Sequence, residues 1–406
     1  MNGVQMRTKG CATGSTVTVE TAANNPVEVT VLMPCLNEAE TIEMCIKKAK
    51  RFLEQHHISG EIIVGDNGST DGSQEIARRN GAKVVDIPVR GYGAALSCAM
   101  NSARGKYVIM ADSDGSYDFS NLMPFVERLR AGYDLVVGNR FRGGIKPRAM
   151  PWKNKWIGTP ALSGAGRLFF KCPVRDFNCG LRGYARDAFK KMDLRTTGME
   201  FATEMVVKAT LLEMRIAEVP TTLDPDGRSH PPHLRPWRDG WRHLRFMLLY
   251  SPRWLFLYPG TVLLLAGIIT GLWLERGPQR IGSIILDIHT LFFACIGILV
   301  GFQSILFAVF SKTFAITERL LPPDRTFDKA FERFHLETCL ITGVVLVGLG
   351  FCGASFAVLA WEKQGFGPLV PTQVMRLAIP SGVSLALGFQ MIFSGFFLGL
   401  LRMGRK

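Results

Sequence analysis

The chain has 406 residues and a formal charge of +14, from 48 Lys and Arg against 34 Asp and Glu. That length admits two or three domains, and the basic balance points to anionic partners: nucleic acid, anionic lipid or phosphorylated substrates. Hydrophobic residues make up 47% of the chain, unevenly spread: charge and apolar residues alternate up to about residue 240, and long runs nearly free of charge follow. Residues 1–25 are polar, rich in Thr, Ala, Gly and Asn. They lack the apolar core of a signal peptide and are expected to form a flexible tail. The nine cysteines show no paired spacing of the metal-binding kind.

In chain order, the β-branched run from Val27 to Met33 predicts a first strand that stops at Pro34. A loop, Pro34-Cys35-Leu36-Asn37-Glu38, leads to a helix spaced from Glu40 to Leu53. A second strand, Glu61 to Gly65, ends in Asp66-Asn67-Gly68-Ser69-Thr70-Asp71-Gly72-Ser73, dense in turn formers. Thr70 or Asp71 is placed there to cap a helix from Ser73 to Arg79. Lys83 to Ile87 predicts a third strand, and Arg90-Gly91-Tyr92-Gly93 opens the next helix. The fourth strand, Tyr107 to Ala111, runs into Asp112-Ser113-Asp114. Asp134 to Gly138 predicts a fifth, followed by Asn139-Arg140. Strands alternating with helix-length segments indicate a doubly wound, mostly parallel sheet. No Gly-X-Gly-X-X-Gly follows the first strand, which argues against a dinucleotide site.

Ligands in such sheets bind beyond the carboxyl ends of the strands. Asp112 and Asp114 emerge at that edge, beside the loops after the first and second strands. Two carboxylates two residues apart repel one another unless a cation or hydrogen-bond donors offset them, and hard oxygen ligands suit Mg²⁺ or Mn²⁺. An isolated Asp-X-Asp reads more readily as a solvated turn than as a site; here the convergence of three loops favours a site.

Residues 146–171 are basic and aromatic, with Lys146, Arg148, Trp152, Lys153, Lys155, Trp156, Arg167 and Lys171. They suit either a solvated surface or one that meets anionic headgroups. Glu200, Glu204 and Lys208 share one helix face, by simple charge pairing or for catalysis. Trp237 to Tyr250 alternates basic and apolar groups like an interfacial helix. Four apolar segments follow, about residues 255–274, 284–310, 338–361 and 377–401, each long enough to cross a bilayer. The loop between the second and third carries Lys312, Arg319, Arg325, Lys329 and Arg333, and the C-terminus carries Arg402, Arg405 and Lys406. The positive-inside bias therefore puts both termini and the α/β domain in the cytoplasm. Asp287 and His289 stand out as ionisable groups at the second segment.

Taken together, Pro34-Cys-Leu-Asn-Glu38, Asp66-Asn-Gly-Ser-Thr-Asp71-Gly, Arg90-Gly-Tyr-Gly-Ala-Ala, Asp112-Ser-Asp114, Asp176-Phe-Asn-Cys-Gly-Leu-Arg182 and Glu200–Glu204 resemble, in order and spacing, the family 2 glycosyltransferases of GT-A fold. Within these the chain looks most like the dolichyl- or polyprenyl-phosphate hexose (mannose or glucose) synthases. The resemblance implies that Pro34, Leu36, Glu38 and Asp66 hold the nucleoside, and that Asp112 and Asp114 hold Mg²⁺ or Mn²⁺ at the donor diphosphate. It further implies that Arg140 and Lys155 bind the phosphate of the lipid acceptor, and that Arg228 and Ser229 close over the donor. Asn67 departs from the usual second aspartate, and Ser116 from a frequent glutamine.

The implied partners are a nucleotide diphosphate sugar, a polyprenyl phosphate and the membrane, not nucleic acid; homo-oligomerisation stays open. The expected organisation is a tail (1–25), a cytoplasmic GT-A domain (26–235), an interfacial segment (236–253) and a membrane domain (254–406) in the cell membrane. Two rival expectations remain. One is a hydroxyl lipid or glycan acceptor, with Glu200 or Glu204 as general base. The other is a non-catalytic membrane scaffold with a degenerate transferase domain.

Overall fold

The computed structural model describes residues 26–229, 235–324, 327, 335–368 and 371–403. The expected tail and the cations Arg325, Lys329, Arg333, Arg405 and Lys406 lie outside the described residues. The chain divides into two compact units, residues 1–247 and 248–406.

The first unit is built on a seven-stranded sheet: β1 (Val29–Cys35), β2 (Gly60–Asp66), β3 (Lys83–Asp86), β4 (Tyr107–Met110), β5 (Leu135–Asn139), β6 (Arg182–Ala185) and β7 (Ile216–Pro220), in the order β3-β2-β1-β4-β6-β5-β7. All pairings are parallel except those of β6, antiparallel to both β4 and β5. β1, β4 and β5 read as continuous apolar runs because both faces of the sheet are covered, and Val29, Val31, Leu32, Val108, Ile109, Val136 and Val137 are 0% exposed. The flanking helices are α1 (Ile42–Gln55), α2 (Ser73–Arg79), α3 (Tyr92–Met100), α4 (Met123–Arg130), α5 (Arg140–Gly143), α6 (Thr159–Phe170), α7 (Arg186–Met192) and α8 (Phe201–Leu211). In α1 the buried Ile42, Cys45, Ile46, Ala49, Phe52 and Leu53 recur at helical spacing and form its inner stripe.

This is the doubly wound, mostly parallel sheet expected, with one addition. β6, Arg-Gly-Tyr-Ala, is too short and too polar to read as a strand. Its insertion beside β4 matters, because it delivers the preceding residues, Asp176 to Gly180, to the carboxyl end of β4.

α9 (Pro236–Leu249) buries Asp239, His243, Phe246 and Met247 and leaves Trp237 90% and Trp241 57% exposed. The second unit then holds α10 (Tyr258–Leu274), a hairpin of β8 (Gln279–Ile281) and β9 (Ile284–Leu286), α11 (Ile288–Thr317), α12 (Leu336–Glu362) and α13 (Pro371–Met403). Among the described residues four stretches are long and apolar enough to span a membrane: Arg253–Leu274, Ile288–Thr317, Leu336–Glu362 and Val374–Met403. The second starts later than the expected residue 284, because Ile284, Ile285 and Leu286 pair as a strand and a one-dimensional apolar run carries no sign of that. Asp287 precedes α11 and takes an ion pair from Arg376, which also donates to the Leu274 carbonyl. Its charge therefore ties helix ends together.

Candidate active site

The loops after β1 and β2 are stitched to one another by side chains. Asn37 N donates to Ser69 Oγ, Thr70 N to Asn37 Oδ1, Glu38 N to Ser73 Oγ and Ala39 N to Asp71 Oδ2, each at 2.9 Å. Asp71 also accepts the Ser73 N–H at 3.0 Å, but the N-cap of α2 is Gly72, in the left-handed region and without a side-chain bond, and neither Thr70 nor Asp71 takes that position. Asp66, 1% exposed, takes Gly68 N, Ser69 N and Gln74 Nε2 on Oδ2. Its buried Oδ1 has no partner among the described residues. Asn67 explains its own departure from an aspartate: Nδ2 donates to the Ile87 and Val89 carbonyls while Oδ1 accepts Gly91 N at 2.6 Å. An ionised carboxylate could not donate those two bonds.

At the end of β4, Ser113 turns inward and donates to the Pro34 carbonyl at 2.7 Å. Asp114 is 7% exposed; its Oδ1 accepts Ser116 N and Oγ, and its Oδ2 accepts Arg228 Nη2 at 2.6 Å. Ser116 therefore braces Asp114. Arg228 also donates Nη1 to Glu38 at 2.8 Å and Nε to Asp226 at 2.9 Å. Its segment is pinned by Gly227 N to the Asp114 carbonyl and by Ser229 N and Oγ to Glu40. Burial, then the negative charge of Asp114, pushes the Asp112 carboxyl up to about 6, against the pull of a Tyr92 hydrogen bond, Arg228 and Arg140. Glu38, Asp112 and Asp114 thus form a crowded anionic patch, with Arg228 paired directly to Glu38 and Asp114 and Arg140 adding positive charge near Asp112. Among the described residues no three His, Cys, Asp or Glu side chains form a metal cage. The donor set fits a hard cation of the Mg²⁺ type, which binds through one or two carboxylates together with substrate phosphates.

The third wall comes from the segment before β6. A Cβ at Gly180 would lie 2.5 Å from Asp112 Oδ2, so only glycine leaves room for that carboxylate. Gly180 N donates to Tyr117 Oη at 2.8 Å. Asp176, fully buried, takes Arg140 N, Nε and Nη2 at 3.1, 2.7 and 2.7 Å. Arg140 is therefore not a free phosphate fork; two of its side-chain nitrogens are committed to Asp176, which fixes its plane. Arg182, 0% exposed, is held by three carbonyls, Cys179, Ala202 and Phe177, at 2.8, 2.5 and 2.6 Å.

The structure brings Pro34, Glu38, Asp66, Asp112, Asp114, Arg140 and Arg228 to one sheet edge with the Leu36 loop. Ser229 is bound to Glu40. Lys155 stands in a π-helical turn, Asn154–Gly158, with Nζ 5.6 Å from the Trp156 ring centroid; among the described residues no hydrogen bond or ion pair joins it to the carboxylates. Glu204, 0% exposed, is saturated by Arg195 N, Thr196 N, Thr196 Oγ1 and Lys208 Nζ. It staples the 193–197 loop to α8 and has no oxygen to spare for a general base. Tyr92, Asp176, Gly180 and Arg182 were not singled out individually from the sequence. The available signal was the ordered run Asp176 to Arg182, unusual in packing two charges and a glycine into seven residues.

Residues 30–193 match the model of the family glycosyl transferase family 2, and residues 309–402 match the glycosyltransferase family 2 C-terminal transmembrane region. Over 375 residues the chain is 36% identical to the low-salt glycan biosynthesis hexosyltransferase Agl6 of Haloferax volcanii, covering 92% of this chain and 89% of that one. It is 28% identical over 194 residues to the dolichyl-phosphate hexose transferase of the same organism, covering 48% of this chain and 81% of the relative. Among solved structures it is similar to the glucosyl-3-phosphoglycerate synthase of Mycobacterium tuberculosis with Mn²⁺, UDP and product bound, at 23% identity and TM-score 0.43, covering 55% of this chain and 80% of that one. With a family 2 catalytic region, a family 2 membrane region and a relative matched almost end to end, the chain belongs to the family 2 glycosyltransferases and is an integral membrane member of it.

Proposed function

We propose that the protein transfers a hexose from a nucleotide diphosphate sugar to a polyprenyl phosphate, with inversion at the anomeric carbon and with Mg²⁺ or Mn²⁺ at Asp112 and Asp114. The observation that carries this reading is the Asp112–Asp114–Glu38 patch compensated by Arg228, on the same sheet edge as the unpaired Oδ1 of Asp66. In this reading residues 26–235 form the catalytic domain on the cytoplasmic face, 236–253 an interfacial segment and 254–406 the membrane domain.

The Asp66 oxygen accepts an N–H of the base, and Pro34, Leu36 and Glu38 line the nucleoside. A divalent cation, when bound, supplies charge neutralisation for the departing diphosphate. Arg228 is the guanidinium within reach to share that task, by exchanging its carboxylate partners for phosphate oxygens. A lipid monophosphate, with a second pKa of about 6, is largely ionised at neutral pH and needs no base. Its oxygen attacks the anomeric carbon as the bond to the nucleoside diphosphate breaks on the opposite face. Arg140, held in plane by Asp176, contributes positive charge for that acceptor phosphate, with Lys155 as the second acceptor group. A hydroxyl acceptor would require a base; Glu204 is saturated, which leaves Glu200 as the base of that rival reading. The similarity to a protein named dolichyl-phosphate hexose transferase favours the phosphate reading.

The test is a screen of nucleotide sugars against purified protein with a short polyprenyl phosphate, with products identified by mass. A hexosyl phospholipid should form with one donor, need a divalent cation, and fall at least about a hundredfold in Asp112→Asn and Asp114→Asn. Near-wild-type transfer by both variants would refute the metal site.

A further inference from the structure

Every nitrogen of the Arg228 guanidinium donates to a carboxylate. Nη1 meets Glu38 at 2.8 Å, Nη2 meets Asp114 at 2.6 Å and Nε meets Asp226 at 2.9 Å. The guanidinium thus bridges Glu38 and Asp114, which are left only 6% and 7% exposed. While it stays there, these two carboxylates offer almost no surface to a second cation.

The segment that carries Arg228 is latched to the turn that carries Asp114. Asp224 N donates to the Ser116 carbonyl and Gly227 N to the Asp114 carbonyl, each at 2.9 Å. Beyond Arg228, Ser229 N and Oγ donate to Glu40 at 2.7 and 2.6 Å. The strap also packs closely: a Cβ on Gly227 would lie 3.0 Å from Thr41 Cγ2, and one on Gly115 would lie 3.8 Å from Gly227 N. Backbone bonds therefore hold the root of the Arg228 side chain at the carboxylates. The long, flexible side chain is the part that can leave and return.

A guanidinium and a divalent cation compete for the same carboxylate lone pairs, and they repel one another at contact distance. A nucleoside diphosphate changes that balance. Its oxygens offer the guanidinium a new bidentate partner, which releases Glu38 and the Oδ2 of Asp114. We propose that Arg228 is a built-in counter-cation that keeps Glu38 and Asp114 closed to divalent metal until a nucleoside diphosphate arrives. Metal and nucleotide then bind as a pair, each raising the affinity for the other by the same factor. This rests on the reading that Asp114 is a cation ligand of the donor site.

The experiment follows Mn²⁺ binding to the full-length protein by the electron paramagnetic resonance signal of free Mn²⁺. It is run without nucleotide and with uridine or guanosine diphosphate, corrected for Mn²⁺ held by free nucleotide. In the unaltered protein one of the two nucleotides should tighten Mn²⁺ binding at least about tenfold. Arg228→Gln, which removes the charge, should tighten Mn²⁺ about tenfold without nucleotide and reduce the nucleotide's effect to about twofold. Arg228→Lys, a point charge without the fork, should tighten Mn²⁺ alone about threefold. Melting curves identify the folded variants, and Arg228→Lys carries the test if Arg228→Gln does not fold. Unchanged or weaker Mn²⁺ binding without nucleotide in a folded variant overturns the proposal. Absence of Mn²⁺ binding by the unaltered protein and by both variants, with and without nucleotide, would instead sink the reading of Asp114 as a cation ligand.

Discussion

The two units of this protein solve opposite packing problems. In the catalytic unit the loops at the sheet edge are held by polar bonds, as in the four contacts between the β1 and β2 loops. Its buried charges are also compensated, Arg140 by Asp176, Lys208 by Glu204 and Arg182 by three carbonyls. In the membrane unit glycines bring helix backbones together. A Cβ on Gly343 would lie 2.8 Å from the Gly388 carbonyl, and one on Gly388 would lie 2.8 Å from that of Gly343. Lipid tails offer helices no hydrophobic reason to associate, so close packing must supply the attraction. Glycine therefore serves chemistry in one unit and cohesion in the other.

Gly180→Ala breaks this comparison most sharply. The added methyl meets a carboxylate oxygen at 2.5 Å and displaces Asp112, so transfer should fall about a hundredfold. The fold should lose only about 1–3 kcal/mol, read as a modest drop in melting temperature. Unchanged turnover would show that Asp112 need not occupy its present place. Gly388→Leu is the counterpart in the membrane unit. It forces α12 and α13 apart, and the detergent-solubilised protein should be destabilised by about 3 kcal/mol. Donor affinity measured on the fraction that remains folded should stay the same. A loss of donor affinity there, without loss of stability, would contradict the division of roles.

The units were also unequally legible in sequence. Hydropathy alone located the membrane helices, because a span is a local property of about 20 residues; the exception, β8–β9, is a pairing that a linear run does not reveal. In the catalytic unit the parallel strands and the Asp112–Asp114 turn could be read locally, from apolar runs ending in carboxylates. The supports could not. Asp176 meets Arg140 across 36 residues and Arg228 meets Glu38 across 190, and no local periodicity encodes such distances. Glu204 and Lys208 show the limit from the other side: their i,i+4 spacing was legible, but the loop that Glu204 staples was not.

The difference in buried charge also predicts different responses to acid. His243 is 4% exposed and shares a 2.7 Å hydrogen bond between Nδ1 and Thr203 Oγ1 of α8. Burial is the main cause that pulls its pKa down to about 4, with Arg182 adding to the effect and Asp239 opposing it. Because the folded value lies below the ordinary one of about 6.5, protonation favours the unfolded chain. The stabilisation is complete above about pH 6.5 and is lost as pH falls toward 4, the loss reaching about 2 kcal/mol at pH 5. Hydrogen exchange should therefore speed up in α8 and α9 between pH 7 and pH 5, after correction for intrinsic rates, in the unaltered protein. In His243→Gln, which cannot titrate, that pH-dependent part of the exchange should disappear. Equal acid sensitivity in both proteins would move the effect elsewhere, to the clustered carboxylates at the sheet edge. The cores of α12 and α13 carry few titratable groups and should exchange alike at both pH values in either protein.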